Sequence, residues 1–202
     1  MKTLRQYIET EIIPRYDSFD AAHRRDHVEY VIAQSLKLAE HYDVDRDMVY
    51  VIAAYHDTGL AVDRKTHHLE SGRIIRSDQC LRQWFDEDQI ETMARAVEDH
   101  RASSDHEPRS IYGKIVAEAD RQIDPETIIR RTVQYGLSHY PGLDREGHWN
   151  RMLEHLNEKY AEGGYLRLWI PESDNAAKLS ELHGLIRDMD YLESLFDRFY
   201  EP

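Results

Sequence analysis

At 202 residues and a formal net charge of −13, the chain is long enough for one sizeable core and too acidic for broad, non-specific binding to DNA or RNA. Hydrophobic residues at 41% and charged residues at 32% exclude extended disorder, and no apolar run approaches the ~20 residues that cross a bilayer. Met1–Arg5 lacks the apolar core of a signal peptide, and the sole cysteine, Cys80, has no partner for an internal disulfide, so a cytoplasmic protein is expected. A small phosphorylated ligand stays compatible with the charge, because a few local cations or a metal override the global sign. Twelve histidines make a metal site worth seeking.

The reading is helical nearly throughout. Residues 3–13 predict a first helix that stops near Pro14, and residues 15–25 a loop with one or two turns. Asp26-His27-Val28-Glu29 fits a capping box that opens a helix to about Tyr42, with His27 in its first turn and Val28, Val31, Ile32, Ser35 and Ala39 as its core stripe. Asp45 can cap a third helix, whose run Val49-Tyr50-Val51-Ile52-Ala53-Ala54-Tyr55 is apolar nearly all round and ends in His56-Asp57 before Thr58-Gly59. A fourth helix is expected from His67 to about Phe85, amphipathic through Leu69, Ile74, Ile75 and Leu81.

Asp86 and Gln89 form a second capping-box match, for a helix to about His100. Ser110 caps a helix to Arg121. Asp124-Pro125 starts one that runs to about His139, and residues 145–161 form another, closed by Gly163-Gly164. Tyr165–Ile170 alternates like a strand but has no partner, so an extended connection is expected there. The last helix is expected from Asp174 to about Phe199. About nine helices without a clear sheet give the class all-α, as one helical domain over residues 1–202. The C-terminal helices complete the core, and they leave open a cover for the site or a homo-oligomer interface.

An ionised carboxylate at the end of a buried helix needs a compensating charge, hydrogen bonds or a metal. His27, the His56-Asp57 pair and Asp120 lie at or near the ends of three expected helices, each beside apolar residues. Two imidazoles and two carboxylates, if brought together, suit Mn²⁺, Fe²⁺, Zn²⁺ or a similar ion. With open positions such an ion would activate a water and polarise a phosphoryl oxygen. A buried His–Asp hydrogen bond is the plainer alternative for any one pair.

The order His27…His56-Asp57…Asp120, with its helical context, resembles the signature of the HD-domain metal-dependent phosphohydrolase superfamily over about residues 20–125. The resemblance implies an HD-domain-like helical fold completed by residues 125–200, and His27, His56, Asp57 and Asp120 as ligands. It also implies hydrolysis of a phosphoester or phosphoanhydride of a small phosphorylated metabolite such as a nucleotide. His68, in His68-Leu69-Glu70-Ser71-Gly72, and His100 resemble the further histidines of binuclear members, so one or two divalent ions are expected, drawn from Mn, Fe, Co, Ni, Zn or Mg. Asp57 is suited to orient the nucleophile if it bridges two ions, and Glu70 is the candidate proton acceptor. His23 rivals His27 and can reach the site from the loop, while Arg24, Lys65 and Arg109 are candidate substrate contacts, with Arg25, Arg101 and Lys114 as similar cations.

Other chemistries lack their motifs: no Gly-rich phosphate loop, dinucleotide fingerprint or Gly-x-Ser-x-Gly occurs. The Gly-Tyr-Pro element of cyclic-di-nucleotide phosphodiesterases and the Glu-Asp pair of alarmone hydrolases are missing as well; Gly163-Gly164-Tyr165 and Leu60-Ala61-Val62-Asp63 stand instead. Two rivals to the hydrolase remain. One is a non-catalytic, metal-stabilised nucleotide-binding or regulatory module. The other is a di-iron oxygenase on an HD-like scaffold.

Overall fold

The computed structural model describes residues 2–20 and 23–201; Ala21 and Ala22, in the expected loop of residues 15–25, lie outside the described residues. Among the described residues there are ten α-helices and no strand. None of these helices is long and apolar enough to cross a membrane. Packing divides the chain into two compact units, Met1–Arg121 with Trp169–Ser173, and Gln122–Leu168 with Asp174–Pro202.

The first unit opens with α1 (Leu4–Tyr7), held by a reciprocal capping box between Thr3 and Gln6. The chain then continues through a π turn (Ile8–Ile12) and a 3₁₀ turn (Ile13–Ser18) instead of stopping near Pro14. Pro14 sits at the start of the 3₁₀ segment, where its missing N–H costs little. The extra turns carry Tyr16 into the core, fully buried.

Helix α2 (Arg25–Leu38) starts one residue before Asp26, with Arg24 at the N-cap and no side-chain cap. The expected Asp26/Glu29 capping box therefore does not form. Glu29 instead lies 3.9 Å from Arg25, one turn away. His27 keeps its place in the first turn, and Val28, Val31, Ser35 and Leu38 are buried.

Asp45 caps α3 (Arg46–Tyr55) by accepting from the amides of Asp47 and Met48, and every residue from Met48 to Tyr55 is buried. Helix α4 (His67–Ser77) is followed by a separate 3₁₀ turn (Gln79–Gln83), so the helix expected to Phe85 breaks at Asp78. Its carboxylate accepts from the Cys80 amide and from the Tyr7 and Tyr55 hydroxyls, at 2.6 Å each for the two tyrosines, a set of bonds that a continuing helix would not offer. Leu69, expected in the core stripe, is 41% exposed; Ser71, Gly72 and Ile75 form the buried face.

Asp86 and Gln89 make the expected capping box at α5 (Glu87–Glu98), and Ser110 caps α6 (Ile111–Asp120). Helix α3 is the centre of this unit, packed by α2, α5 and α6, while α4 lies on α5. Tyr165–Ile170 is extended without strand pairing, as expected. Trp169–Ser173 is held in the first unit by the fully buried Glu118, which accepts from the Trp169 amide at 2.6 Å and the Ser173 hydroxyl at 2.5 Å.

In the second unit, Asp124 caps α7 (Pro125–His139) and Asp144 caps α8 (Arg145–Lys159). Gly163 takes φ 87° beyond the end of α8, a left-handed conformation that favours glycine. The single last helix expected from Asp174 divides into α9 (Asn175–Arg187) and α10 (Met189–Phe199). The break is at Asp188, whose side chain accepts from the Tyr191 amide and so restarts the helix. Ile128, Ile129, Val133, Met152, Leu156, Leu182, Ile186, Leu192, Leu195 and Phe196 are the buried apolar residues of this unit's helices.

Candidate metal centre

The ends of the helices in the first unit converge on one cluster. His27 comes from the first turn of α2, His56 caps the C-terminus of α3, and Asp57 follows it. His67 opens α4, His100 lies just beyond α5, and Asp120 ends α6. A helix end frees the backbone to turn, so a side chain there can point along the core without interrupting a helical ladder.

Two sets of potential ligands share one carboxylate: His27, His56 and Asp57, and Asp57, His67 and His100. Asp57 Oδ2 lies 3.2 Å from His56 Nε2 and 3.6 Å from His27 Nε2. Its other oxygen, Oδ1, lies 3.4 Å from His67 Nε2 and 3.5 Å from His100 Nε2. Asp120 Oδ1 adjoins the first set, 3.2 Å from His27 Nε2. Within each set the two imidazole Nε2 atoms are 3.2 Å apart. Nitrogens each ~2.1 Å from a common ion lie about 3.0–3.4 Å from one another, so both spacings fit a shared cation.

The hydrogen bonds at the opposite ring nitrogens fix which atoms face the cluster. His56 Nδ1 donates to the Ala53 carbonyl at 2.7 Å, His67 Nδ1 to the Arg64 carbonyl at 2.9 Å and His100 Nδ1 to the Val97 carbonyl at 2.6 Å. Each ring, when neutral, presents a bare Nε2 lone pair. For His67 and His100, two lone pairs face each other at 3.2 Å, an arrangement that a bound cation turns from repulsive to favourable. A carbonyl behind each imidazole is also the support that metal-ligating histidines use to hold their tautomer.

The local electrostatics favour positive charge. Burial opposes protonation of His56, but the Asp57 charge and hydrogen bond outweigh it and raise its pKa to about 9. Burial pushes Asp57 up, yet His56 and His100 hold it well below the ordinary carboxylate range. Asp120 is likewise lowered, burial being outweighed by the hydrogen bond to His27 and the charge of His56. His67 is lowered by burial and then by His100. This field suits a divalent ion, and the N/O donor set fits one.

The backbone around His56-Asp57 is tightly held. The Tyr16 hydroxyl donates to the Ala54 carbonyl at 2.9 Å and accepts from the Asp57 amide at 3.2 Å. The Gly59 amide donates to the Ser71 hydroxyl at 2.8 Å. A Cβ on Gly59 would meet the His67 carbonyl at 2.1 Å, so only glycine lets the start of α4 approach the turn this closely.

Of the residues singled out from the sequence, His27, His56, Asp57, Asp120 and His100 come together. His67 joins them, not His68. One helical position turns a side chain by about 100°, and His68 faces a neighbouring cavity with its Nδ1 buried and unpartnered. Glu70 pairs with Arg73, and His23 bonds Asp20 at 2.8 Å with its ring 5.9 Å from that of His27. Arg24 and Lys65 are exposed. Arg109 is committed to ion pairs with Asp99 and Glu98, each at 2.8 Å.

Sequence reasoning missed Tyr16, hidden beyond a proline, and Arg121. The buried Arg121 guanidinium donates to the Ala117 carbonyl and, at 3.5 Å, to that of His100. Its position directly after Asp120 was the available signal.

The sequence profile of the HD domain family matches residues 24–122, which span all six clustered residues. A similar solved structure is that of a predicted HD superfamily hydrolase from an uncultured Thermotogales bacterium. It is 21% identical, with a TM-score of 0.53, over 76% of this chain and 87% of that one. At that identity the likeness concerns the fold. No curated protein matches the chain.

Proposed function

The chain belongs to the HD-domain superfamily, and from that premise we propose that it is a metal-dependent phosphohydrolase acting on a small phosphorylated metabolite. One observation carries the reading: the Asp57 carboxylate directs a different oxygen to each of two histidine pairs. His27, His56, Asp57 and Asp120 would hold one ion, and Asp57, His67 and His100 a second. Divalent ions held in this way supply Lewis-acid polarisation of a phosphoryl oxygen and acidification of a water.

The chain's own contribution is preorganisation. Asp57 is 3% exposed and fixed through its amide by Tyr16, so the carboxylate needs little reordering when substrate arrives. The carbonyls behind His56, His67 and His100 keep the three lone pairs directed inward. His27, His67 and Asp120, at 12%, 15% and 22% exposure, are the members of the cluster open to a ligand, whereas His56 is sealed.

The test is phosphate or pyrophosphate release from a panel of phosphoesters and nucleotides with Mn²⁺, Co²⁺ or Mg²⁺. The wild-type protein turns over a member of the panel and Asp57→Ala does not. Equal release by the variant would overturn the mechanism.

A further inference from the structure

The two ligand sets differ in what holds them. His27 and His56 sit at the ends of α2 and α3, which pack against each other at the centre of the first unit. His67 and His100 sit where a helix meets a loop. His67 is the first residue of α4, after the exposed stretch 61–65, and His100 follows α5 and opens the loop to Arg109. The ring of His67 is oriented from that exposed stretch, because its Nδ1 donates to the Arg64 carbonyl at 2.9 Å. A loop carbonyl is a steady support only if the loop is itself held, since exposed loops open locally at little cost.

Some of the holding is local. The Asp63 carboxylate accepts from the Thr66 amide at 3.0 Å and the Thr66 hydroxyl at 2.6 Å, and the Arg64 guanidinium pairs with Asp20. Neither tie reaches the other histidine. Arg101 does: it directly follows His100, and its Nη1 donates to the Lys65 carbonyl at 2.8 Å. Lys65 is one peptide away from the carbonyl that orients His67. The bond therefore closes a brace that runs from His100 through Arg101, Lys65 and Arg64 to His67, with the two Nε2 atoms 3.2 Å apart at its open end. Among the described residues Arg101 makes no ion pair, so its guanidinium is engaged by a carbonyl and not by a carboxylate. Its charge acts in the opposite sense, because a guanidinium beside a cation site repels the ion through space. Solvent and salt screen that repulsion at an exposed position, whereas an outer support of a metal-ligating histidine is worth ~10–100-fold in affinity. The brace is the larger effect.

We infer that Arg101 is a positioning residue for the second ion alone: by tying the segment after His100 to the Lys65 carbonyl, it holds His67 and His100 at a common ligand distance. The inference rests on the two-ion arrangement proposed above.

Calorimetric titration of the metal-free protein with Mn²⁺ tests it, with circular dichroism as the check on folding. The wild type is expected to take up two ions. Arg101→Met removes donor and charge together, and it is expected to weaken one ion by about tenfold and leave the other unchanged. Arg101→Lys keeps a donor of similar reach and is expected to recover most of that loss. Lys65→Ala keeps the carbonyl and is expected to bind both ions as the wild type does. In a His67→Ala background, where one ion remains, adding Arg101→Met is expected to change nothing. An Arg101→Met protein that binds both ions as tightly as the wild type, or more tightly as charge repulsion alone demands, overturns the inference and leaves the two-ion reading standing. So does an Arg101→Lys protein no better than Arg101→Met. Weakening of both ions, or of the ion that remains in the His67→Ala background, also overturns it, because such a loss is general and not confined to the second ion. One ion or none in the wild type overturns the two-ion reading and the inference with it.

Discussion

Replacing His67 and His68 by alanine, one at a time, separates two neighbouring histidines by what their geometry allows. His67 Nε2 stands 3.2 Å from His100 Nε2 and 3.4 Å from Asp57 Oδ1. Without it, the second ligand set retains only Asp57 and His100. Losing a group that merely supports a ligand costs ~10–100-fold in metal affinity. Losing a direct donor is therefore expected to cost at least ~100-fold, or about 2.7 kcal/mol at 1.36 kcal/mol per decade. The His67 side chain is largely buried at 15% exposure, so its truncation carries a packing cost, but its remaining hydrogen bond is local, to the Arg64 carbonyl, and folding is read separately. His68 offers the cluster no ligand atom; its ring only meets that of His67 edge-on, with centroids 5.6 Å apart. Equilibrium dialysis against Mn²⁺ with metal analysis, with circular dichroism as the check on folding, reads the result. The wild type and His68→Ala are expected to hold two ions per chain, and His67→Ala one. A folded His68→Ala protein that loses an ion, beside a His67→Ala protein that keeps both, would refute the assignment.

Tyr16→Phe is expected to destabilise the first unit by about 2 kcal/mol in urea unfolding, because the Ala54 carbonyl and the Asp57 amide lose a shared buried partner; a change under about 0.5 kcal/mol would show that the hydroxyl is dispensable. In the second unit, burial and then Lys159 lower the pKa of His155 from 6.5 to about 4. The unfolded chain therefore binds this proton first, and the stability of the neutral ring is full above pH 6.5 and is lost as pH falls from there towards 4. The loss is about 1–2 kcal/mol after allowance for the ring's partial exposure. His155→Gln is expected to flatten that part of the pH–stability curve, and an unchanged slope would sink the assignment.

The helical class and most helix starts were legible because they depend on local chemistry. Asp45, Asp86, Ser110 and Asp124 cap where their spacing says they should. The failures came where a side-chain cap, alone or with a distant partner, outbid the helical pattern. Asp78 and Asp188 read as interior positions of long helices, yet each carboxylate finds an amide to cap and ends the helix before it. Asp78 also takes two tyrosine hydroxyls, one of them 71 residues away, which no window of sequence displays.

The cluster shows the same division more sharply. The order of its residues was readable, and so was their position at helix ends. The choice between His67 and His68 was not, because it depends on the phase of α4 against the turn at Asp57. That phase is set by Gly59, where a Cβ would strike the His67 carbonyl at 2.1 Å, and by the bond from its amide to Ser71. The glycine thus does more than end a helix. By allowing the start of α4 to press against the turn, it brings His67, with its Nδ1 already tied to the Arg64 carbonyl, to the free oxygen of Asp57. One carboxylate oxygen for each histidine pair is the property that turns a buried His–Asp contact into a site with room for a second ion.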